Sequence, residues 1–484
     1  MKAVDELSRR ALLGTAVAGA ALHSLPASAG FFTGFGSEAD VIVVGAGAAG
    51  LSAAVSAAEA GASVLVLEKM PSIGGDTLIS GGFFAAIDPE SQASSGVSDN
   101  EELFFRQTYE GGDRVADPKL VRVLVHEATA SFHWLQGMGM RFQPGVIEIY
   151  GAHWKRCHKP LLPAGSGYIQ ALSARALKLG VKIKKNVKVV SLRFNRRRCV
   201  GVEAEEGGKK EFLRARCGVV LAAGGFGSNP SLVKKFAPGL SNLTSDNSPG
   251  STGEVMLAAE AAGVMLRDMQ YIQCLPGCPP GRTHRVRLHN DVSRFIFVDG
   301  NGHRFVREDA RRDVIRDKVL ELPERLAYSI ADNAGLRSYN MLIQKEAWKG
   351  IETGDAWMAR SIPELARKMG LPAAELSATV RRYNAAVDRR RDWLGKSPAE
   401  LRFRIEKPPF WGCYAGMAVH YTMGGIAISP KAECLGKDGK PVPGLWAAGE
   451  ITGGVHGANR LGANGIADAV SFGRIAGREA AKSV

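Results

Sequence analysis

The sequence predicts an α/β fold: a parallel-sheet domain interrupted by an inserted α+β segment. Three observations predict it. Residues 39–69 run strand, glycine loop, helix, strand, and stop on an acid. Residues 217–228 and 444–450 are each an apolar run that ends on glycines. Between these two, from about residue 270 to 420, turns, Pro and Arg become dense, Pro276 to Arg287 above all.

The first thirty residues stand outside that pattern. Ser8-Arg9-Arg10-Ala11-Leu12-Leu13 is a twin-arginine signature, followed by small apolar residues to Leu25 and an A-x-A-like site at Ala27-Ser28-Ala29. Residues 1–29 read as an export signal, with a mature chain from Gly30 in the periplasm. This route carries folded protein, so a cofactor can be inserted before export. The mature chain has no apolar run of membrane-spanning length, so stable membrane insertion is not expected.

The β-branched run Val41 to Val44 is a strand buried on both faces. Gly45-Ala46-Gly47-Ala48-Ala49-Gly50 follows, then an Ala-rich helix to about Ala60 and a second strand, Val64 to Leu67, ending at Glu68. This is a βαβ unit of about thirty residues with a dinucleotide-binding fingerprint. Gly45 permits the tight turn, Gly47 lets a pyrophosphate approach the helix N-terminus, and Gly50 lets helix pack on strand. Glu68 stands where a carboxylate accepts bonds from ribose hydroxyls.

Pro71 to Ala86 is a second glycine-rich loop, and Gly74-Gly75 and Gly81-Gly82 allow backbone to lie against a flat ring. Residues 99–142 read as helical, with Leu120, Leu124, Phe132 and Leu135 at helical spacing. A helix from Tyr168 to Leu179, strands at 181–184 and 187–192 and a hairpin around 203–213 follow. Residues 38–269 and 421–484 are then expected to form one domain, and 270–420 a second, mobile one. The last helix runs from Asn464 to Lys482.

Composition is that of a globular protein, 45% hydrophobic and 23% charged over 484 residues. The net charge is +14, or +13 once Lys2, Arg9 and Arg10 leave with Asp5 and Glu6. Such a field attracts an anionic substrate and an acidic electron-transfer partner. No nucleic-acid module accompanies it, and Arg196 to Arg198 and Arg389 to Arg391 read as solvated turns. Seven cysteines at irregular spacing imply no disulfide framework, and no CxxCH is present to attach a haem. Cys274 and Cys278 read as structural, and no metal site is expected.

The C-terminal string GLWAAGEITGGVHGANRLGANGIADAVSFGRIAG resembles the flavin-binding end of the fumarate reductase/succinate dehydrogenase flavoprotein family. It is most similar to the soluble periplasmic branch, the flavocytochrome c fumarate reductases and the related urocanate and acrylate reductases. AAGGFGSN at 222–229, RFVREDARRD at 304–313, IEKPPF at 405–410 and VHYTMGGI at 419–426 extend the match from Ala39 to the C-terminus, with gaps in the insert. The resemblance implies a Rossmann-like FAD-binding domain with an inserted α+β capping domain over the isoalloxazine.

By that resemblance FAD contacts Gly45, Gly47, Ala48, Ala49, Gly50, Glu68 and Lys69. It also contacts Gly74, Gly75, Asp76, Thr77, Ser80, Gly81 and Gly82, then Val189, Ala223 and Gly224, and finally Gly449, Glu450, Gly462, Asn464 and Ile466. The family's covalent attachment uses a His before the second glycine pair. Residues 75–80 hold none, so non-covalent FAD is expected. Arg312 matches the family's proton donor, and His420 and Arg460 match the residues that hold and polarise a substrate carboxylate. Hydride transfer to an activated C=C builds negative charge on the α-carbon and carboxylate, which fixed cations stabilise.

The substrate pocket is expected at Gln273, Leu275, Gly277, Met423 and Gly424. Fumarate reductases carry Gln-x-His-Pro-Thr, whereas this chain has Gln273-Cys274-Leu275-Pro276-Gly277. Loss of the His and Thr leaves a second carboxylate poorly paired, a cost of several kcal/mol, and favours a monocarboxylate. The family's relay Glu and Arg fall near Leu288 and Asp291, with His289, Asp291 and Asp313 as substitutes. Electrons are expected from a separate c-type cytochrome or quinol-linked donor, to a monomer. Three alternatives stand: a fumarate reductase with other residues replacing the lost pair, a ketosteroid-type dehydrogenase using Tyr271 or Tyr421, and a non-catalytic flavin electron carrier.

Overall fold

The computed structural model describes residues 38–282 and 284–482. The twin-arginine segment lies outside the described residues. The chain begins with β1 (Glu38–Val44), passes the glycine loop into α1 (Ala48–Glu59) and returns in β2 (Val64–Glu68). Helices Glu101–Gly111 and Pro118–Gly137 occupy the tract that reads as helical. The break between them falls where Gly112 meets the C-terminal segment: a Cβ there would lie 2.3 Å from the His456 carbonyl oxygen. Asn100 and Asp117 cap the two helices by accepting from the amides of Leu103 and Lys119.

After helix Ser166–Lys178, strand Lys182–Lys185 and the hairpin Lys188–Asn195/Arg198–Glu206 lead to β3 (Lys209–Leu221). Next come β4 (Thr244–Ser245) and β5 (Ile272–Gly277), then α2 (Arg312–Leu320), β6 (Leu326–Asp332) and α3 (Met341–Thr353). The chain closes with β7 (Phe410–Thr422), β8 (Pro441–Ala447) and α4 (Asn464–Ala481).

The first sheet runs Glu433–Leu435, β8, β3, β1, β2, Lys182–Lys185, with the hairpin attached to β3. From β8 to Lys182–Lys185 neighbours are parallel. Val43 stands between Val66 and Val220, and Val41, Ile42 and Val43 are fully buried, which is why this stretch has no alternation. Helix α4 lies on α1 at backbone distance. A Cβ on Gly473 or Gly477 would come within 2.5 Å of the Ala49 or 2.1 Å of the Ala53 carbonyl oxygen.

The second sheet runs β5, β7, β6, Phe295–Val298, all antiparallel; Ala356–Ala359 and β4 also pair with β7. The β4 pairing is parallel and sets Thr244 beside Ala418 and Ser245 beside Val419. Strand β7 runs past residue 420, so the boundary expected there falls inside it and His420 rides on the second sheet. A fully buried ion network anchors the loop before Arg312. Arg304 donates to Glu308 at 2.8 and 2.7 Å and to Asp392 at 2.7 Å, and Lys396 lies 3.1 Å from Glu308. Buried charges persist only when paired in this way.

All seven cysteines carry free thiols, and burial pushes Cys274 up to about 12. No helix among the described residues is long and apolar enough to cross a membrane.

Candidate active site

One cavity runs from the glycine loop of the first sheet to the face of the second. Its dinucleotide end is built by backbone. Gly45 has φ +103° and a Cβ there would sit 2.3 Å from the Ala222 carbonyl oxygen. Gly47 offers no side-chain cap and no acid stands in the first turn of α1, so apart from the Ala48 amide its N-terminus faces the cavity open to an anion. Glu68 accepts from the amides of Ala46 (2.9 Å) and Met70 (2.8 Å), and Thr77 accepts from that of Ala48 (3.1 Å). Lys69 is held by Thr252 and Glu254.

Asp76 accepts from the Ser248 amide and the Ser251 hydroxyl, yet burial raises its pKa. Burial and then Asp76 push Glu450 up to about 8, so this carboxyl stays protonated at neutral pH and can donate. The open helix end, the bare glycine floor and a neutral acid fit a bound dinucleotide.

At the other end Arg312, the first residue of α2, and Arg460 converge on Gln273. Its single Oε1 accepts from Arg312 Nη1 at 2.8 Å and from Arg460 Nη2 at 3.0 Å. The Gln273 amide group donates to Asn459 Oδ1 (3.0 Å) and the Arg460 carbonyl (2.8 Å), which fixes that orientation. Arg312 also donates to the Tyr150 carbonyl at 2.6 Å. Neither guanidinium has a carboxylate partner among the described residues. Burial, then Arg460, brings Arg312 down to about 9, and burial lowers Arg460 as well.

Arg285 and Arg287 contrast with these. Arg285 pairs with Asp246 at 2.5 Å and Arg287 with Glu346 of α3 at 2.9 Å. Asp246 also faces His420 Nδ1 at 3.0 and 3.1 Å. Five buried polar atoms of cavity-lining residues have no hydrogen-bond partner among the described residues: Tyr150 Oη, Arg285 Nε, His289 Nδ1, Arg312 Nε and Arg460 Nε. These atoms lie sealed in the wall rather than on the cavity surface: Arg312 Nε, for one, packs on Gly151.

Among the residues expected at FAD, Gly45, Gly47, Ala48, Ala49, Glu68 and Lys69 line the cavity. So do Gly75, Asp76, Thr77, Ser80, Gly81 and Gly82, and also Val189, Ala223, Gly224, Glu450 and Ile466. Five stand behind the wall. Gly50 packs on Gly45, and Gly74 lies under Leu78 and donates to the Ala46 carbonyl. Gly449 packs on Ala49, Gly462 donates to the Gly151 carbonyl at 2.7 Å, and Asn464 is turned to Thr108 at 3.1 Å.

Arg312, His420, Arg460 and Leu275 line the cavity; the rest of the expected substrate pocket does not. Gln273 acts from beneath, through the two arginines. Gly277 points its missing side chain at Ala418, Gly424 is pressed on the backbone of Asp268, and Met423 is buried with its amide on the Tyr271 carbonyl. Of the relay substitutes only His289 reaches the cavity, and burial, then Arg285 and Arg287, keep it neutral. Asp291 is held by Ser293 and Asp313 by Arg311. Leu288 is buried.

Sequence reasoning missed Tyr150, Asp246, Arg285 and Arg287 as cavity residues. The signal for the arginines was present: in Arg285-Val286-Arg287-Leu288-His289 the polar residues alternate with Val286 and Leu288, which are buried. Asp246 and Tyr150 carry no local signal.

The fold and cavity together define an FAD-dependent oxidoreductase. The chain belongs to the FAD binding domain family, whose model matches residues 40–466. It is 36% identical to "Fumarate reductase (cytochrome)" of Shewanella frigidimarina, covering 92% of this chain and 77% of that one. It is 34% identical to "NADH:acrylate oxidoreductase" of Vibrio harveyi over 92% of this chain, and spans about half the length of that protein. The open conformation of a flavocytochrome c3 fumarate reductase superposes with a TM-score of 0.75 at 31% identity, covering 92% of this chain and 78% of that one.

Proposed function

We propose that this protein reduces the activated C=C bond of an α,β-unsaturated monocarboxylate. The observation that carries this reading is the state of the four cavity arginines. Arg285 and Arg287 are each tied to an acid, while Arg312 and Arg460 share one neutral amide oxygen. The cavity therefore holds free cationic charge in one place, beside apolar Leu275. A second carboxylate would have to break an existing ion pair or remain unpaired, at a cost of several kcal/mol.

FAD, when bound, supplies the hydride. Arg460 and His420 hold the substrate carboxylate and stabilise the charge that develops on it in the transition state. Arg312 delivers a proton to the α-carbon. Its burial against Arg460 weakens its hold on that proton, which makes an arginine workable as an acid. In the same reading FAD is held non-covalently, residues 270–420 cap the site, and the mature protein works as a monomer after twin-arginine export to the periplasm. Its electrons come from a separate c-type cytochrome or quinol-linked donor.

The test is anaerobic turnover of the FAD-loaded mature protein with reduced methyl viologen. The panel holds fumarate, acrylate, methacrylate, cinnamate, urocanate and a ketosteroid. A monocarboxylate is expected to turn over fastest. Fumarate turnover at least as fast would make the protein a fumarate reductase, and ketosteroid turnover would make it a dehydrogenase. Loss of turnover in Arg312→Gln separates an enzyme from a flavin carrier.

A further inference from the structure

We infer that Asp246 is a positioning residue for His420, and that the pair takes up one proton when a substrate carboxylate binds. The parallel register of β4 on β7 creates the pair. Ser245 stands beside Val419, so the next residues, Asp246 and His420, come together at the cavity wall. The Asp246 amide donates to the Val419 carbonyl at 3.0 Å, which locks the approach. A carboxylate only accepts, so His420 Nδ1 must carry a hydrogen and donate to Asp246. No group among the described residues bonds Nε2.

In the neutral ring, Nε2 is then a lone pair facing the cavity. A lone pair repels a carboxylate. His420 can hold the substrate only as the imidazolium, with Asp246 stabilising the added charge across the ring. Every charged or titratable neighbour bears on this step. Arg312 on α2 and Arg460 before α4 oppose protonation, and burial opposes it most. Arg285 draws on the same Asp246 carboxylate, Arg287 lies beyond it paired to Glu346, and His289 is neutral. Among these groups Asp246 is the acid that favours the proton, and it stays ionised even beside a neutral ring: burial alone would raise its pKa, but the Arg285 charge, the His420 hydrogen bond and the Arg287 charge hold it low. An incoming carboxylate adds the second negative charge and tips the balance.

This inference rests on the carboxylate-binding role given to His420 above, and its test does not depend on turnover. The oxidised, FAD-loaded protein is titrated calorimetrically with propionate and 3-phenylpropionate in buffers of different ionisation enthalpy. About one proton should be taken up per carboxylate bound, and affinity should fall about tenfold per pH unit above the His420 pKa. Separately, ¹⁵N-histidine NMR without ligand follows His420, assigned with His420→Gln. Its pKa should drop by about one unit or more in Asp246→Asn, recover in Asp246→Glu, and rise in Arg285→Gln, where the carboxylate is left to the imidazole alone.

Zero proton uptake, pH-independent affinity, or an unmoved His420 titration in Asp246→Asn would overturn it. If Asp246→Asn fails to fold, the upward shift in Arg285→Gln decides, and its absence overturns the inference. A turnover panel without any active carboxylate would instead sink the reading of function, whatever the proton count.

Discussion

The two ends of the cavity are built on opposite plans. At the dinucleotide end the charged groups are already engaged: Glu68 by two backbone amides, Lys69 by Thr252 and Glu254. At the other end two guanidiniums share one amide oxygen and have no carboxylate partner among the described residues. The first plan makes a rigid seat that a cofactor enters once. The second leaves two guanidiniums without a counter-charge, which in the proposed reading a substrate carboxylate supplies.

The largest effect expected from breaking this contrast is at Arg312. Arg312→Gln should lower kcat by about 10²–10⁴-fold while FAD absorbance and stoichiometry stay normal, since the change touches only one end. At the other end, Gly45→Val should remove bound FAD from the purified protein. Its Cβ would lie 2.3 Å from the Ala222 carbonyl oxygen at a φ of +103°, which no β-branched residue adopts. Flavin-to-protein ratio after gel filtration measures it.

A smaller change should redraw the boundary between tied and free cations. Glu346→Gln releases Arg287 and should raise kcat/KM for fumarate relative to a monocarboxylate by up to about fivefold, the order of one exposed ion pair gained by a substrate. Leu275→His should act in the same direction. Equal effects on both substrates would show that Arg287 does not reach the bound acid.

The last effect is thermal and reads stability rather than turnover. Glu450 titrates near 8 in the fold against an ordinary 4.5, so the folded state binds the extra proton between those values. Stability of the apoprotein should therefore fall as pH rises from about 4.5 to about 8, through this group. The Tm advantage of Glu450→Gln over wild type should widen over the same range, in scanning calorimetry of both apoproteins.

What could be read in the sequence follows the same division. The βαβ unit is a local pattern, and its strands and helix fall within a few residues of their expected places. Arg312, His420, Arg460 and Leu275 were found because each lies in a recognisable string, and all reach one cavity. The groups that decide what surrounds them were not legible. Asp246 acquires meaning only from its register against a strand 174 residues away. Tyr150 comes from an irregular loop whose carbonyl holds Arg312. Gly277 and Gly424 read as pocket residues because of neighbours in sequence, but each lies pressed on neighbouring protein, Ala418 or Asp268, away from the cavity.

Gln273 sets a chemical lifetime for the site. One side-chain nitrogen separates this amide from a carboxylate, and both guanidiniums already point at its oxygen. Hydrolysis of that amide, or the single substitution Gln273→Glu, would install a permanent anion between Arg312 and Arg460. It would neutralise the two guanidiniums from beneath the cavity wall, and its second oxygen would face two acceptors, Asn459 Oδ1 and the Arg460 carbonyl, with no hydrogen to offer either.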